Sequence, residues 1–268
     1  MVEISRKKIY FASDFHLGVP DYASSRKREE QIIAWLNHIE SDVEELFLVG
    51  DIFDFWFEYK SVVPKGFVRL LGKIASFSDQ GIPVHVFCGN HDMWMFGYLE
   101  QELGIQLHRD EFQFERFGKK FFVAHGDGLG PGDQGYKFIK KVFRNPLSQW
   151  AFARLHPNFG IWLASYFSKT SRASNGNEDA LYIGKQREWL YQFVEKEHAT
   201  FQADYYIFGH RHLPLKFEIN QAFYFNLGEW LNYFTFGSFD GENFLLQTWK
   251  NNVIEPYFTI SEQNEAPN

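Results

Sequence analysis

Leu48-Val49-Gly50-Asp51-Ile52-Phe53-Asp54 is the stretch that decides the fold of this chain. Its apolar residues run into a glycine, and the next residue is a carboxylate. A buried strand of an open α/β sheet delivers a charged side chain to its carboxyl end in this way, and such folds bind their ligands at that edge. The same pattern recurs at Ile9–Asp14, Val84–Asn90, Phe121–His125 and Tyr205–His210. Five apolar runs therefore end on Asp, Asn or His, and we expect their ends to converge.

The composition of the 268 residues indicates a globular protein with a substantial core. Hydrophobic residues make up 45% of the chain and aromatic residues 19%, which excludes an intrinsically disordered protein. The net charge of −7 argues against nucleic-acid binding, since phosphate binding requires clustered Lys and Arg. Cys88 is the one cysteine, so no intrachain disulfide can form and a reducing compartment is expected. We expect a soluble chain, because residues 1–13 are too polar for a signal peptide and no apolar run approaches the roughly 20 residues that span a bilayer.

Strands alternate with helices over the first hundred residues. Apolar residues at helical spacing occupy residues 28–39 and 67–77, between the first three strand-like runs. This alternation indicates βαβ units and a parallel sheet. From Leu215 onwards short alternating runs are separated by turn residues, which indicates a second, antiparallel sheet. We therefore predict an α/β protein with two sheets packed face to face, helices outside them, and a frayed tail over residues 261–268.

The spacing of the strand ends reveals an insertion. The intervals are 37 residues from Asp14 to Asp51, then 39 to Asn90 and 35 to His125. The next interval, from His125 to His210, is 85 residues. It is long enough to hold an additional structural unit between two parts of one core.

We call residues 131–173, within this long interval, the inserted segment, and residues 1–130 and 174–260 the core. The inserted segment is aromatic and carries a net charge of +6, which leaves −13 on the rest of the chain. Its apolar spacing, cut by Pro146 and Pro157, predicts short helices. One interpretation is a helical hairpin packed on the sheet. The other, which we favour, is a lid whose basic face meets a phosphate or anionic lipid head and whose aromatic face holds acyl chains or lies at a membrane surface.

Seven side chains at the strand ends are candidate metal ligands: Asp14, His16, Asp51, Asn90, His125, His210 and His212. Such oxygen and imidazole donors suit divalent ions such as Mn²⁺, Fe²⁺ or Zn²⁺, and the absence of thiolates argues against a structural zinc site. Two ions about 3.5–4 Å apart need a bridging carboxylate, and together they activate a water and clamp a phosphoryl group. Asp51 suits the bridge. Each residue alone is more often a turn or capping residue, so the prediction depends on all five loops together.

Three further carboxylates, Asp54, Asp92 and Asp127, lie close to these ligands in the sequence. We expect them to orient the histidine ligands, and the alternative is that each is an ordinary turn carboxylate. The histidines outside the motifs and Cys88 are expected to be packing or surface residues.

Five blocks of the sequence resemble the calcineurin-like metallophosphoesterase superfamily. They are Asp14-Phe15-His16, Gly50–Asp54, Gly89–Asp92, His125-Gly126-Asp127 and Gly209–His212, in that order. The resemblance implies a four-layer αββα sandwich of two mixed sheets with a dinuclear site. By motif, one ion would bind Asp14, His16, Asp51 and His212, and the other would bind Asp51, Asn90, His125 and His210.

Within that superfamily, the inserted segment is similar to that of the UDP-2,3-diacylglucosamine pyrophosphohydrolases of lipid A synthesis. Those enzymes carry a basic, aromatic helical lid with an Asp-x-x-Tyr pair, which here is Asp133 and Tyr136. Arg172 of the same segment is a further candidate substrate contact. The resemblance implies cleavage of UDP-2,3-diacylglucosamine to UMP and 2,3-diacylglucosamine 1-phosphate. It also implies Mn²⁺ as the metal and a cytoplasmic location at the inner face of the membrane.

One position departs from the best-known branch of that family, which has Arg where this chain has His91. We expect Asn90 and His91 to be the catalytic residues, stabilising charge in the transition state or protonating the leaving oxygen. A His acid also permits alkoxide leaving groups, so a broader phosphodiesterase or nucleotide phosphatase is the first alternative. A non-catalytic binding module on the same fold is the second, although such a protein would be expected to lose ligands.

Overall fold

Strands and helices alternate from residue 8 to residue 108 in the computed structural model, which describes residues 7–131, 134–175, 182 and 184–259. The strands are β1 (Lys8–Ala12), β2 (Val43–Leu48), β3 (Val84–Phe87), β4 (Gln106–His108), β5 (Phe112–Arg116), β6 (Lys119–Ala124), β7 (Tyr205–Phe208), β8 (Pro214–Ile219), β9 (Ala222–Leu227), β10 (Thr235–Phe239), β11 (Phe244–Lys250) and β12 (Val253–Pro256). The helices are α1 (Tyr22–Ile39), α2 (Val68–Asp79), α3 (Tyr98–Leu103), α4 (Gln134–Arg144), α5 (Pro146–Phe152), α6 (Pro157–Asn175) and α7 (Trp189–Phe201).

Among the described residues, these strands form two sheets. The first has the order β12-β11-β10-β1-β2-β3-β4, with β1 to β4 parallel and β10 to β12 antiparallel to their neighbours. The second has the order β5-β6-β7-β9-β8, with β6, β7 and β9 parallel and the two outer strands antiparallel. The expected α/β fold of two mixed sheets is confirmed.

Four layers follow from the way successive strand residues point to opposite faces. In β1, Phe11 points between the sheets, where its ring lies 6.2 Å from that of Phe121 in β6. Its neighbour Tyr10 points the other way and packs on Trp35 of α1. In β6, Phe122 points outward against α7. Helices α1 to α3 therefore cover the first sheet and α7 covers the second, which is the αββα sandwich that the resemblance implies.

The strand register brings the chemically active loops to one edge. Leu48 of β2 pairs with Ala12 of β1 and with Val86 of β3, so the loops that follow these three strands leave the first sheet side by side. In the second sheet Ala124 pairs with Phe208, which aligns the loops after β6 and β7 in the same way. The five strand ends meet because this edge is shared by both sheets.

The expectation of one antiparallel sheet after Leu215 is wrong. Strands β8 and β9 do join the second sheet, but β9 lies parallel to β7, and β10 to β12 extend the first sheet beside β1. The chain crosses between the sheets at a turn that Glu229 caps, accepting hydrogen bonds from the amides of Asn232 at 3.0 Å and Tyr233 at 3.2 Å. Alternating hydrophobicity shows which face of a strand is buried, but it does not show which sheet the strand joins.

The inserted segment forms α4, α5 and α6, separated near Pro146 and Pro157 as the sequence predicts. No side chain of α4 or α5 is buried, so these two helices add nothing to the hydrophobic core. Within the part of the chain that the structure describes, no helix combines the length and the apolar character needed to cross a bilayer.

His85 makes the core sensitive to acid. Its ring is stacked on that of Phe47 at 4.2 Å between the sheets, and its Nδ1 lies 2.9 Å from Nε2 of His108. Burial lowers the pKa of His85 from 6.5 to about 4, so the folded protein keeps this side chain neutral while the unfolded chain takes up a proton. The contribution of His85 to stability is therefore complete above the unfolded pKa and is lost as the pH falls towards the folded pKa.

We predict that His85→Phe, which keeps a ring on Phe47 and removes the titrating group, reduces the loss of stability in acid. Urea unfolding of both proteins at about pH 7.5 and about pH 5 measures this difference. The wild-type midpoint should fall further than that of the variant. The exposed His156 offers a control, since His156→Gln should behave as the wild type. An equal fall in the His85 variant would contradict the prediction.

Candidate metal centre

All seven predicted ligands lie together where the strand ends of the two sheets meet. Asp14, His16, Asp51 and His212 form one group and Asp51, His125 and His210 form another, and within each group one ligand atom per residue lies within 4.8 Å of the others. Asn90 adjoins the second group, because its Oδ1 lies 3.1 Å from Nε2 of His125. Asp51 belongs to both groups. These groups coincide with the two ligand sets that the motifs imply.

In the first group, imidazole nitrogens and a carboxylate oxygen lie close to one another. Nε2 of His16 lies 3.0 Å from Nε2 of His212 and 3.7 Å from Oδ1 of Asp14. Nε2 of His212 lies 3.2 Å from the same Asp14 oxygen. Imidazole nitrogens and carboxylate oxygens facing one another at these distances have the donor set that binds a divalent cation.

In the second group the backbone fixes the orientation of an imidazole. Nδ1 of His125 donates a hydrogen bond to the carbonyl of Val49 at 2.8 Å. A carbonyl oxygen only accepts, so Nδ1 carries a proton, and Nε2 is the nitrogen that remains to face a metal ion. That Nε2 faces Oδ2 of Asp51 at 3.5 Å. The contact also joins the end of β2 in the first sheet to the end of β6 in the second.

The surroundings of the Asp51 carboxylate show whether these residues could hold a pair of ions. Its Oδ1 accepts a hydrogen bond from the His91 amide at 2.9 Å. Its Oδ2 is buried and has no hydrogen-bond partner among the described residues. The imidazole nitrogens Nε2 of His16, His125 and His91 surround it at 3.5–4.0 Å. A buried carboxylate oxygen without a donor costs folding free energy, and two cations bridged by that oxygen would remove the cost. The residues present therefore fit the metals.

The charges of the site favour cations. Burial raises the pKa of Asp51, but the neighbouring His125 and His91 outweigh it and hold that pKa well below its ordinary value. In the same way His16 and His212 overcome burial and lower the pKa of Asp14. Both carboxyl groups are thus ionised at neutral pH. Burial and the charge of His125 lower the pKa of His210 to about 4, which leaves its ring neutral and able to bind a metal.

Five of the predicted ligands have left-handed backbone conformations. They are Asp14 at φ 56°, His16 at 44°, Asp51 at 52°, His210 at 67° and His212 at 56°. Non-glycine residues rarely adopt this region, and each such residue costs on the order of 1 kcal/mol. Such strain persists only where the surroundings impose it, and it clusters at functional sites. The turns it produces aim alternate side chains of one loop at the same point.

Glycine is required next to Asp51, the predicted bridging carboxylate, and next to Asp14. A Cβ at Gly89 would collide with the backbone nitrogen and Oδ1 of Asp51. A Cβ at Gly209 would lie 2.6 Å from Oδ2 of Asp14. These two glycines of the sequence motifs therefore make room for candidate ligands on other loops, Gly89 within the first sheet and Gly209 across the two sheets.

Asp54 and Asp92 make different kinds of contact in this loop cluster. Oδ1 of Asp54 lies 3.7 Å from Nδ1 of His16 and 3.8 Å from Nδ1 of His91, beside both imidazoles. Asp92 contacts backbone instead, accepting from the amides of Ile52 and Gly89, each at 2.8 Å. Burial and the charge of Asp51 raise the pKa of Asp92 to about 7. Asp92 thus ties the second and third loops to each other.

Asp127 connects the cluster to the inserted segment. Its Oδ2 accepts a hydrogen bond from the hydroxyl of Tyr136 at 2.6 Å and forms an ion pair with Lys140 at 2.6 Å. The Tyr136 ring lies 6.3 Å from that of His210. Of the other two predicted substrate contacts, Asp133 and the side chain of Arg172 lie outside the described residues.

His91, the predicted catalytic histidine, reaches the cluster from the loop after β3. Its Nε2 lies 4.0 Å from the unpartnered oxygen of Asp51, and its ring meets that of His16 edge to face at 5.0 Å. Its Nδ1 contacts the Asp54 carbonyl at 3.1 Å. Burial lowers the pKa of His91 to about 4, with Asp51 opposing this shift.

Two buried arginines support the candidate ligand loops, and neither role was predicted from the sequence. Arg28 donates to the carbonyls of Phe15, His16 and Val19 at 2.6–2.7 Å and so fixes the first loop. The signal was present, since Arg28 lies four residues before Ile32 on the apolar face of α1, where a charged residue is unexpected. Arg211, between two ligands, forms a buried ion pair with Glu188 at 2.9 Å.

The chain belongs to the calcineurin-like phosphoesterase family, whose sequence profile matches residues 7–214. Over 256 residues it is 38% identical to UDP-2,3-diacylglucosamine hydrolase from Porphyromonas gingivalis strain W83, which covers 91% of this chain and 98% of that relative. It is 26% identical over 204 residues to UDP-2,3-diacylglucosamine hydrolase from Edwardsiella ictaluri, covering 76% and 75% of the two chains. Among solved structures, the phosphoesterase Yfce from E. coli has a TM-score of 0.46 at 15% identity and covers 92% of this chain and 96% of that one.

The resemblances noted in the sequence are thereby confirmed, and the chain is a metallophosphoesterase with candidate ligands for divalent ions. It is a hydrolase of phosphoric esters or anhydrides. The alternative of a non-catalytic binding module is set aside.

We predict that Arg28→Gln destabilises the protein by roughly 3 kcal/mol, because three buried carbonyls lose a charged donor. It should also weaken Mn²⁺ binding, because the His16 loop is no longer fixed. Urea unfolding and isothermal titration with Mn²⁺ measure the two effects. Lys27→Gln, which changes the exposed neighbour on α1, should alter neither. Unchanged Mn²⁺ affinity in the Arg28 variant would show that the loop holds its shape unaided.

Proposed function

We propose that this protein hydrolyses the pyrophosphate bond of UDP-2,3-diacylglucosamine, giving UMP and 2,3-diacylglucosamine 1-phosphate in lipid A biosynthesis. The proposal is carried by the 38% identity to a relative named for this substrate, over 98% of that relative's length. The donor cluster and the helices beside it support the proposal independently of that name.

We infer that one ion is held by Asp14, His16, Asp51 and His212 and the other by Asp51, Asn90, His125 and His210. Mn²⁺ is our choice of metal, because carboxylate, carboxamide and imidazole donors without thiolates suit it. When bound, the two ions supply Lewis acidity and an activated water for attack on phosphorus.

The chain's own residues then bind and orient the diphosphate. His91 points Nε2 towards Oδ2 of Asp51, so a phosphate anion bound there would favour the doubly protonated imidazole and accept a hydrogen bond from Nε2–H. A phosphate leaving group needs little protonation, so His91 stabilises charge in the transition state as the arginine of related enzymes does. Asn90 beside it serves both as a ligand and as a fixed dipole towards the substrate.

The inserted segment acts as a lid over this edge in our proposal. Lys137, Lys141 and Arg144 of α4 line a cleft of about 510 Å³ that Gly128 also borders, one residue from Asp127. This basic cleft suits an anionic part of the substrate. Tyr136, whose hydroxyl donates to Asp127, precedes Lys137 of the cleft and has its ring 6.3 Å from that of His210.

The outer faces of the inserted helices are unusually apolar for a surface. Several large side chains are half or more exposed: Phe138, Leu147, Trp150, Phe159, Trp162, Tyr166 and Phe167. Together with the +6 charge of the segment, these side chains suit contact with acyl chains and an anionic membrane surface. We therefore propose a cytoplasmic protein attached peripherally to the inner face of the membrane.

Product analysis tests the proposed substrate. With Mn²⁺ we expect the wild-type protein to release UMP from UDP-2,3-diacylglucosamine, and ³¹P NMR measures this release. Asp51→Asn should reduce the rate by more than about 100-fold, because even residues outside the ligand shell of a metal site cost 10–100-fold. The exposed Asp79→Asn is the matched control and should keep full activity. Hydrolysis of simple phosphodiesters without UMP release would favour the broader phosphodiesterase that His91 permits.

Vesicle sedimentation tests the membrane contact. We expect wild-type protein to bind vesicles of phosphatidylethanolamine and phosphatidylglycerol, and the double variant Trp162→Ser, Phe167→Ser to bind at least about fivefold more weakly, because two apolar side chains no longer leave water. Tyr22→Ser removes an aromatic ring that is 82% exposed on the core and should not change binding. Equal binding of all three proteins would count against a membrane role for the inserted segment.

A further inference from the structure

One serine of the inserted segment touches the catalytic histidine. Ser168 of α6 lies with its Oγ 3.0 Å from Oδ2 of Asp54 and 3.2 Å from Nδ1 of His91. We propose that Ser168 is a positioning residue, which links Asp54 to His91 and holds Nε2 of that imidazole towards the metal cluster. This inference rests on the proposed function, in which His91 serves the reaction.

The donors and acceptors available on these side chains determine which atom donates in each hydrogen bond. A carboxylate oxygen only accepts, so the Ser168 hydroxyl donates its single proton to Asp54. The same oxygen then accepts a hydrogen bond from Nδ1–H of His91, which the Asp54 carbonyl also accepts at 3.1 Å. With its proton on Nδ1, His91 presents Nε2 on the opposite side of the ring, where Asp51 lies.

Ser168 fills a gap that Asp54 does not reach across. Oδ1 of Asp54 lies 3.8 Å from Nδ1 of His91, which is beyond hydrogen-bond distance. The serine hydroxyl is within reach of both groups, so the side-chain connection from the carboxylate to the imidazole runs through α6. The core therefore supplies His91 and Asp54, and the inserted segment completes their arrangement.

The helical turn that contains Ser168 also carries exposed aromatic side chains. Phe167 and Tyr166, directly before Ser168, are 62% and 57% exposed. The proposed lipid contact and the histidine contact thus lie on adjacent residues of one rigid helix. A displacement of α6 by the lipid would change the hydrogen bonding of His91, so the lid and the catalytic group are coupled without any intermediate residue.

Other contacts of the segment that the structure describes hold it in place without touching His91. Nε1 of Trp94 donates to the Phe143 carbonyl at 2.9 Å, and the rings of Trp94 and Phe152 pack at 4.7 Å. Loss of the Ser168 hydroxyl should therefore leave α4 and α5 attached. This separates the positioning role from a general loosening of the lid.

Kinetics of three variants test the proposal. Ser168→Ala should lower kcat about tenfold with KM unchanged, because one hydrogen bond that orients the histidine is lost. Ser168→Thr keeps the hydroxyl and should restore most of the rate. Ser165→Ala, one turn earlier on α6, is the matched control and should behave as the wild type.

The tautomer of His91 provides a readout that does not depend on substrate. In ¹⁵N-histidine-labelled protein loaded with diamagnetic Zn²⁺, the His91 signals are those missing from His91→Gln. We expect Nδ1 to carry the proton in the wild type. In Ser168→Ala only the Asp54 carbonyl remains as an acceptor for Nδ1–H, so this tautomer is less favoured and the two ring nitrogen shifts should move towards each other. In Ser165→Ala they should not move.

The outcomes separate this inference from the proposed function. A Ser168→Ala variant with unchanged kcat and unchanged His91 shifts would overturn the positioning role, and so would a rise in KM alone, which indicates a substrate contact. A protein that releases no UMP from the lipid substrate but shows the tautomer change in Ser168→Ala would refute the proposed substrate and leave the positioning role standing.

Discussion

Oδ2 of Asp51 is buried and has no hydrogen-bond donor among the described residues, and the surrounding structure depends on this constraint. Oδ2 of Asp51 lies between three imidazole nitrogens, while Oδ1 is fixed by the His91 amide. Alone, such an oxygen would destabilise the fold, and positive charge beside it would offset that cost. The neighbouring structure also accommodates Asp51. Gly89 makes room for it, and strained turns point the candidate ligands towards it.

The loops are held by bonds that cross between the two sheets. The His125 ring is bonded to the Val49 carbonyl, and the Trp230 amide donates to the Asp14 carbonyl at 3.1 Å. Arg28 and the buried Arg211–Glu188 pair support the loops at their outer ends. Backbone strain at the ligands is thus offset by charged hydrogen bonds several residues away, as expected where function requires an unfavourable local conformation. The metal site and the sandwich are therefore one cooperative unit.

The sequence predicted the sandwich and the convergence of the seven polar residues because parallel strands present their carboxyl ends at one edge. It did not predict that β10 to β12 join the first sheet, since alternation along a strand reports its buried face and not its neighbour. It also missed Arg28 and Ser168. Their roles depend on which carbonyls or imidazoles lie within 3 Å or so after folding, and no local pattern encodes such distances. The inserted helices were predictable because Pro146 and Pro157 act locally.

The distance along the chain between facing ligands has a consequence for biosynthesis. His16 and His212 bring their Nε2 atoms within 3.0 Å although 196 residues separate them. During translation the amino-terminal ligands leave the ribosome long before their partners exist, and the first sheet is incomplete until its last strands have been made. With the ligand sets proposed above, a nascent chain has no complete metal site until residue 212 has been made, so hydrolysis cannot begin before that point.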